Sequence, residues 1–213
     1  MPQETDFERY YPDQDTLAAV QGRADDAGCF ECMVVRQIED NAPPAHLVCE
    51  DDATLAFLDP YPRRYGYCLV IPRDHRVLVT GDFSLQEYLA QQWVVYAVSE
   101  AVRQEVGVER MYILSLGSNQ GNAHAHWHVV PLPPGIPFEQ QQTVGWHLGV
   151  LRIPDEEMVS LASGPGWVIC CSPAARLCSK ARSNAPAWLN RGRRSDNVRL
   201  WTPRTKATTC TRV

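Results

Sequence analysis

Three histidines alternate with other residues in the stretch HAHWHVVPL, which begins at His124. Side chains alternate between the two faces of a β-strand, so His124, His126 and His128 should share one face, about 7 Å apart along the strand. An imidazole can be a nucleophile, a proton donor or acceptor near neutral pH, or a metal ligand. Because the chain has only six histidines in 213 residues, this pattern favours a site acting along an extended ligand, such as a chain of phosphates, over a solvent-facing polar stripe.

The loop before the histidines, GSNQGNA at residues 117–123, is rich in glycine and small polar side chains. Backbone N–H groups of such loops can bind phosphate oxygens. The same composition also forms ordinary turns, so its position beside the histidines is what favours a phosphate contact.

A Cys-x-x-Cys pair, Cys29 and Cys32, lies upstream of the first predicted strand. Two cysteines are half of a tetrahedral zinc site, which needs two more ligands. A redox pair would need thioredoxin-like surroundings that the sequence lacks, and free buried thiols are the remaining alternative. Cys49 and Cys68 fall within predicted strands, where we expect core thiols.

Five β-rich runs and one long helical pattern must position these residues. Short turns between most neighbouring runs, including the acidic turn at residues 50–52, predict an antiparallel α+β sheet. Residues 84–107 form the clearest helix, with a capping box from Ser84 and Glu87 and with Gly107 at its end. Residues 153–162 also have helical character. The strand candidates are AHLVC (45–49), ATLAFLD (53–59), YGYCLVIP (65–72), RMYILSLG (110–117) and HAHWHVVPL (124–132).

Charge divides the chain unevenly. Residues 1–160 contain 24 acidic and 10 basic side chains, whereas residues 161–213 contain 1 and 10. The second part is rich in Arg, Ser and Pro and has no structural period, which predicts a poorly ordered basic tail. Such a tail could bind nucleic acid electrostatically, but we interpret it as a solvated segment or a frame-shifted carboxyl end, and nucleic acid is not an expected partner.

The expected location is the cytoplasm, with no membrane partner. No apolar run approaches the roughly 20 residues of a membrane-spanning helix, and the acidic N-terminus lacks the layout of a secretory signal. Eight cysteines in a reducing compartment are expected to be thiols or metal ligands rather than disulfides.

Residues 29–135 resemble the histidine triad (HIT) superfamily of nucleotidyl hydrolases and transferases. The His-φ-His-φ-His-φ-φ motif, with φ apolar, is satisfied by residues 124–130, and the upstream LAFLD and LVIPRDH segments agree in order and spacing. The resemblance implies a HIT-like catalytic domain over residues 1–160. Its fold would be an antiparallel five-stranded sheet with one long helix and a shorter one, followed by the irregular basic tail.

The resemblance also implies a reaction. His126 would attack the α-phosphorus of a nucleotide and form a covalent nucleotidyl-histidine, with its ring exposed beside the bound nucleotide, while His128 would hydrogen-bond the phosphate or the leaving group. Dinucleoside polyphosphates or adenylyl conjugates are the implied substrates. A phosphate-dependent phosphorylase, a non-catalytic nucleotide-binding protein and a processor of nucleic-acid ends are the alternatives. The implied substrate-binding residues are Phe57, Asp59, Ser118, Asn119, Gln120 and Asn122.

A structural zinc ion and a homodimer are implied as well. In two branches of the superfamily, two histidines complete the zinc site of the cysteine pair. One follows the LVIP strand and the other is the first histidine of the triad. The corresponding ligands here are Cys29, Cys32, His75 and His124. The apolar residues 93–96 are either core or dimer interface.

The chain departs from many relatives at two places. It has Gly66-Tyr67 in place of Gly-His, and its loop sequence at residues 119–122 differs, so its phosphate contacts should differ in detail.

Overall fold

A computed structural model describes five ranges of the chain. Two compact units are distinguished, Met1–Pro173 and Ala174–Val213, and every described residue belongs to the first unit. The predicted tail is described only over residues 161–169, so the prediction of irregular structure beyond residue 169 lies outside the described residues, and a catalytic domain ending at residue 160 stays a prediction. The described ranges are 2–13, 29–39, 46–115, 124–141 and 149–169.

The strands form one five-stranded sheet and one small two-stranded sheet. In chain order they are β1 (Arg9–Tyr10), β2 (Leu47–Glu50), β3 (Thr54–Leu58), β4 (Cys68–Pro72), β5 (Arg110–Leu114), β6 (Trp127–Leu132) and β7 (Val150–Leu151). The main sheet has the order β2-β3-β4-β6-β5 with antiparallel pairing throughout, and β1 pairs with β7. Every residue of β3 and β4 is buried, as expected for strands covered on both faces.

Four α-helices accompany the sheets in the described part of the chain. The long helix and the last of the four were predicted from the sequence, whereas the first and the third were not. They are α1 (Phe30–Glu39), α2 (Leu85–Glu105), α3 (Phe138–Gln141) and α4 (Asp155–Ala162), with short 3-10 turns at Glu4–Asp6 and Pro165–Ile169.

Helix α2 begins as its capping box predicts. The Ser84 hydroxyl accepts a hydrogen bond from the Glu87 N–H, and the Glu87 carboxylate accepts one from the Ser84 N–H at 2.7 Å. Two of the backbone donors at the start of the helix are thereby satisfied. The C-cap is Val106, one residue before the predicted Gly107.

The two faces of the main sheet carry different helices. Alternating residues of β6, Trp127 and Val129, belong to the core cluster that includes the inner side of α2. Val130 belongs to the opposite cluster, which includes residues of α1. Because side chains alternate along a strand, His128 shares the α1 face of the sheet with Val130.

The predicted α+β class and five-stranded antiparallel sheet are confirmed, with some changes at the ends of the strands. The turn at residues 50–52 forms as predicted, since the Asp51 carboxylate accepts hydrogen bonds from the N–H groups of Ala53 and Thr54. Strand β6 begins only at Trp127, so of the three histidines His128 alone lies within it. In the part of the chain that the structure describes, every helix is too short or too polar to cross a bilayer.

Candidate active site and metal centre

The segment leading into β6 is held from both sides. Its Ala125 N–H donates to the main-chain oxygen of Arg76, in the loop between β4 and α2. The Ser115 hydroxyl, just beyond β5, donates to the main-chain oxygen of His126 at 2.6 Å. These bonds place the first histidine of the triad beside His75, with the two ring centroids 5.1 Å apart.

Four side chains converge at the start of α1. Cys29 and Cys32 come from the start of α1, His75 from the loop after β4, and His124 from the segment before β6. The Nδ1 atom of His124 is 3.4 Å from the Cys29 sulfur and 3.5 Å from the Cys32 sulfur. Nδ1 of His75 is 3.3 Å from the Cys32 sulfur, and all four donor atoms lie within 4.8 Å of one another. We call this group the cysteine–histidine cluster.

The cluster fits a tetrahedral metal ion. Zinc bonds of about 2.3 Å to sulfur and 2.0 Å to nitrogen place neighbouring tetrahedral ligands about 3.5 Å apart, which matches the observed separations. Nε2 of His124 is 3.0 Å from the main-chain oxygen of Pro72, and because a carbonyl only accepts, Nε2 carries the proton. The lone pair of Nδ1 therefore faces the sulfurs, as a metal ligand requires.

Electrostatics in the cluster also suit a cation. Burial lowers the pKa of His124 to about 4, so the ring is neutral near pH 7. Burial raises the pKa of the Cys29 thiol to about 12, so without a cation this residue is a neutral thiol. Since metal ligands of this kind are thiolates, metal binding would release its proton.

His126 has the opposite tautomer to His124. Its Nδ1 lies 2.7 Å from the main-chain oxygen of His124 and therefore donates to it. The lone pair is then on Nε2, the atom that would act as a nucleophile. The expectation of an exposed ring is wrong, since His126 is 4% exposed; its ring packs 4.7 Å, centroid to centroid, from that of His128, with the Glu31 carboxylate 3.6 Å from its Nδ1.

His128 completes what we call the nucleophile pair, His126 and His128. Its Nδ1 shares a 2.7 Å hydrogen bond with the Tyr67 hydroxyl, while its buried Nε2 has no hydrogen-bond partner among the described residues. Burial lowers the pKa of His128 to about 3, and its neighbours His126 and Arg63 also disfavour a positive charge on this ring. The ring is therefore neutral near pH 7.

The predicted substrate-binding residues are only partly described. Asp59 follows β3 and accepts a hydrogen bond from the Tyr61 N–H at 2.8 Å. Burial raises the pKa of its carboxyl group, and the hydrogen bond from Tyr61, with the neighbouring Arg63 and His126, opposes the rise. Phe57 is completely buried in the cluster against α1, so its contact with a nucleobase stays a prediction. Ser118, Asn119, Gln120 and Asn122 lie outside the described residues.

Two side chains at the site were not identified from the sequence. Tyr67 stands out only as a departure from the Gly-His of relatives, yet it contacts the third histidine of the triad. Glu31 lies between the two cysteines of the Cys-x-x-Cys pair, and a single charged residue forms no sequence pattern from which a role could be predicted. Its side-chain oxygen accepts a hydrogen bond from the Cys29 thiol at 3.4 Å, and burial raises the pKa of Glu31 while the neighbouring His126 opposes the rise.

Comparisons with known proteins identify the family of this chain. The HIT domain model matches residues 41–134. An uncharacterised HIT-like protein of Borreliella burgdorferi is 32% identical over 109 residues, covering 48% of this chain and 74% of the relative. The Protein hit of Bacillus subtilis is 30% identical over 109 residues, covering 48% and 72%. The chain therefore belongs to the HIT family, which includes nucleotide hydrolases and transferases.

Solved structures give further matches. A zinc-bound histidine triad family protein from Mycobacterium smegmatis is 26% identical, with a TM-score of 0.48, over 71% of this chain and 96% of that one. A HIT-like protein from Bartonella henselae is 24% identical, with a TM-score of 0.47, over 61% and 90%.

Proposed function

We propose that this protein is a nucleotide hydrolase or nucleotidyltransferase that acts at an α-phosphate through a covalent nucleotidyl-histidine on His126. The observation that carries the proposal is the hydrogen bond from Nδ1 of His126 to the main-chain oxygen of His124. It fixes the tautomer in which Nε2 has the lone pair. The residue as a whole is 4% exposed, so the proposal requires that the bound phosphate reach Nε2.

The reaction has two balanced steps. In the first, the lone pair of Nε2 forms a bond to the α-phosphorus, and the bond from that phosphorus to its bridging oxygen breaks, so the leaving group departs with the electron pair. In the second, water attacks the same phosphorus, the phosphorus–nitrogen bond breaks, and the proton of the water is released. The ring nitrogen recovers its lone pair, ready for another cycle.

His128 has a supporting role in this proposal. If the Tyr67 hydroxyl donates to Nδ1 of His128, the proton of the neutral ring is on Nε2, and that nitrogen can donate a hydrogen bond to a phosphate oxygen or to the leaving group. Donors fixed in advance where negative charge develops stabilise a transition state. Asp59 would bind the ribose hydroxyls, Phe57 would lie near the base, and the polar side chains of the loop before the triad would contact phosphate oxygens.

A structural zinc ion would be held by the cysteine–histidine cluster. Four protein ligands fill its tetrahedral coordination, so it would cross-link α1, the loop after β4 and the triad segment without binding substrate. The cluster's fit to a metal is supported by the donor separations of 3.3 to 3.5 Å.

The proposal extends to partners and location. Dinucleoside polyphosphates or adenylyl conjugates are the proposed substrates. The cytoplasm is the proposed location, in line with the free thiols among the described cysteines.

A homodimer is also proposed. Leu85, Leu89, Trp93 and Tyr96 are exposed apolar residues of α2, whereas Val94 and Val95 are buried, and analytical ultracentrifugation of the full chain tests whether the exposed group pairs.

A substrate panel tests the enzymatic proposal. The full chain is incubated with dinucleoside polyphosphates and adenylyl conjugates, with and without inorganic phosphate, and products are identified by mass spectrometry. We expect turnover in the native chain and a loss of roughly a thousandfold or more in His126→Ala, because the nucleophile is removed. His46→Ala, whose ring pairs with Asp155 in the native chain, is the matched control and should remain active.

The outcomes separate the alternatives. Turnover that requires inorganic phosphate would identify a phosphorylase, in which phosphate replaces water as the acceptor. Tight nucleotide binding without any product would identify a binding protein. Full activity in His126→Ala would end the proposal of a covalent intermediate on this residue.

A further inference from the structure

Ser115 lies just beyond β5 and is hydrogen-bonded to the main chain of the proposed nucleophile. Its half-buried hydroxyl donates to the main-chain oxygen of His126 at 2.6 Å. Among the described residues, the last paired positions of β5 and β6 are Leu114 and His128. His126 therefore lies beyond the paired part of the two strands, and a side chain, not the main chain of β5, donates the hydrogen bond that its oxygen accepts.

The hydrogen bond of the His126 ring joins two residues of one segment. Nδ1 donates to the main-chain oxygen of His124 at 2.7 Å, which fixes the ring relative to its own segment but not the segment relative to the sheet. Two hydrogen bonds join main-chain groups of this segment to other described parts of the chain. In one, the Ala125 N–H donates to the main-chain oxygen of Arg76, and the other is the bond from Ser115. Of these two, only the bond from Ser115 reaches the residue that would be the nucleophile.

The position of a nucleophile has a large effect on the rate of its reaction. Attack requires the lone pair of Nε2 to point at the phosphorus, and a displacement of about 1 Å can lower the rate by about a hundredfold. Without the Ser115 hydroxyl, the main-chain oxygen of His126 would lose this hydrogen bond, and its peptide group would be freer to rotate. The ring would move with the peptide group, because both belong to the same residue.

We propose that Ser115 is a positioning residue, whose hydroxyl holds the main chain of His126 in the orientation that directs Nε2 at the α-phosphorus. The inference rests on the proposed function, because it assumes that His126 is the nucleophile. In this role the hydroxyl acts on the nucleophile and not on the substrate. The end of β5 thereby joins the elements that build the site.

A purely structural role predicts a different result. A carbonyl that loses its hydrogen-bond partner destabilises the fold wherever it lies. Ala125 is completely buried and belongs to the core cluster that includes the inner side of α2, and this packing alone would then hold the segment in place. In that case removal of the hydroxyl would lower the thermal stability, and the folded protein would keep the native rate of the chemical step.

The test compares Ser115→Val with Ser115→Thr, since the two new side chains have similar shapes and only threonine has a hydroxyl. The rate of adduct formation is measured in the full chain under single-turnover conditions, over a range of concentrations of a substrate from the panel. We expect the rate at saturation to fall by about 10- to 100-fold in Ser115→Val and to stay within about threefold of native in Ser115→Thr. The half-saturating concentration should change by less than about threefold in both variants, and the zinc content should stay native.

Ser99→Ala is the matched control for a lost serine hydroxyl. The Ser99 hydroxyl is buried in α2 and donates to the main-chain oxygen of Val95 at 2.7 Å, so the control loses the same kind of hydrogen bond outside the site. We expect Ser99→Ala to melt at a lower temperature and to form the adduct at the native rate. Ser115→Ala, which removes the same atom as the control, should form it slowly, and it replaces Ser115→Val if valine prevents folding.

Each outcome decides between the possibilities. A native rate in Ser115→Val or Ser115→Ala overturns this inference and leaves the proposed function intact. A rate in Ser115→Thr as low as in Ser115→Val overturns it as well, because the hydroxyl would then not be the cause. Slowing that accompanies loss of zinc, or that Ser99→Ala shares, favours the structural role. If the native chain forms no adduct, or if His126→Ala forms one at the native rate, the proposed function fails and this inference fails with it.

Discussion

The cysteine–histidine cluster and the nucleophile pair adjoin one another, and they use the same side chain in opposite ways. His124 donates from Nε2 to Pro72 and presents Nδ1 to the two sulfurs, whereas His126 donates from Nδ1 to His124 and keeps its lone pair on Nε2. In both histidines, the main-chain carbonyl that accepts a hydrogen bond fixes which ring nitrogen carries the proton. Two histidines only two positions apart therefore acquire different chemistry from the acceptor that the backbone offers to each.

The two regions also differ in how completely their polar atoms are satisfied. The cluster has every donor atom close to another member of the cluster, which suits a site with a structural task. In the nucleophile pair, Nε2 of His128 lacks a hydrogen-bond partner in the described ranges, as expected of a site whose partner is a bound ligand.

The largest effect should come from breaking the cluster. In Cys32→Ser we expect the bound zinc to fall from about one ion per chain to near zero, with a loss of more than about 3 kcal/mol in the free energy of unfolding, because metal binding contributes to folding. Elemental analysis and urea unfolding measure both quantities. Cys49→Ser is the control, since Cys49 is a buried thiol of β2, and it should keep its zinc. Full zinc content in Cys32→Ser would show that the cluster is not a metal site.

A smaller effect is expected at the nucleophile pair from Tyr67→Phe. Loss of the hydroxyl frees Nδ1 of His128, so its ring no longer has a fixed tautomer, and we expect kcat to fall about tenfold while the KM and the zinc content stay unchanged. Tyr112→Phe, in β5 and packed against the same core cluster, is the control. A native kcat in Tyr67→Phe, together with an unchanged ring tautomer by NMR, would show that Tyr67 does not set the tautomer of His128.

A gradual effect concerns the pH dependence of stability. The pKa of His128 is lowered from 6.5 to about 3 in the folded protein, so below about pH 6.5 the unfolded chain binds a proton that the folded chain does not. The contribution of His128 is therefore fully present above that pH and is lost as the pH falls, by at most about 1.4 kcal/mol per pH unit. Urea unfolding between pH 7 and about pH 4 should show a steeper fall in the native chain than in His128→Asn. Equal slopes would contradict the buried, neutral state of His128.

Local pattern predicted much of this molecule. The β-rich runs and the capping box of α2 were sufficient for the α+β class, the five strands and the long helix, since each has a period or a cap of its own. The resemblance to the HIT superfamily also indicated four side chains that the structure does bring together, although Cys29 and His124 are far apart in the sequence.

The other features of the site depend on contacts between distant segments, which no short sequence pattern predicts. Helix α1 carries Glu31 to the triad, and neither its position nor its contact with His126 follows from the segment itself. The burial of His126 and the two tautomers depend on which carbonyls lie beside each ring, and that is decided only when β4, β6 and their flanking segments pack together.

Peptide mapping of the trapped covalent adduct is the most direct test of a nucleotidyl intermediate on His126. The full chain, with its zinc content measured, is quenched during turnover of a substrate from the panel, digested at neutral to alkaline pH and sequenced by tandem mass spectrometry. We expect a nucleotidyl group on His126 alone, with His124 and His128 unmodified. A nucleotidyl group on His124 or His128 instead would contradict the division between a metal-binding and a nucleophilic histidine.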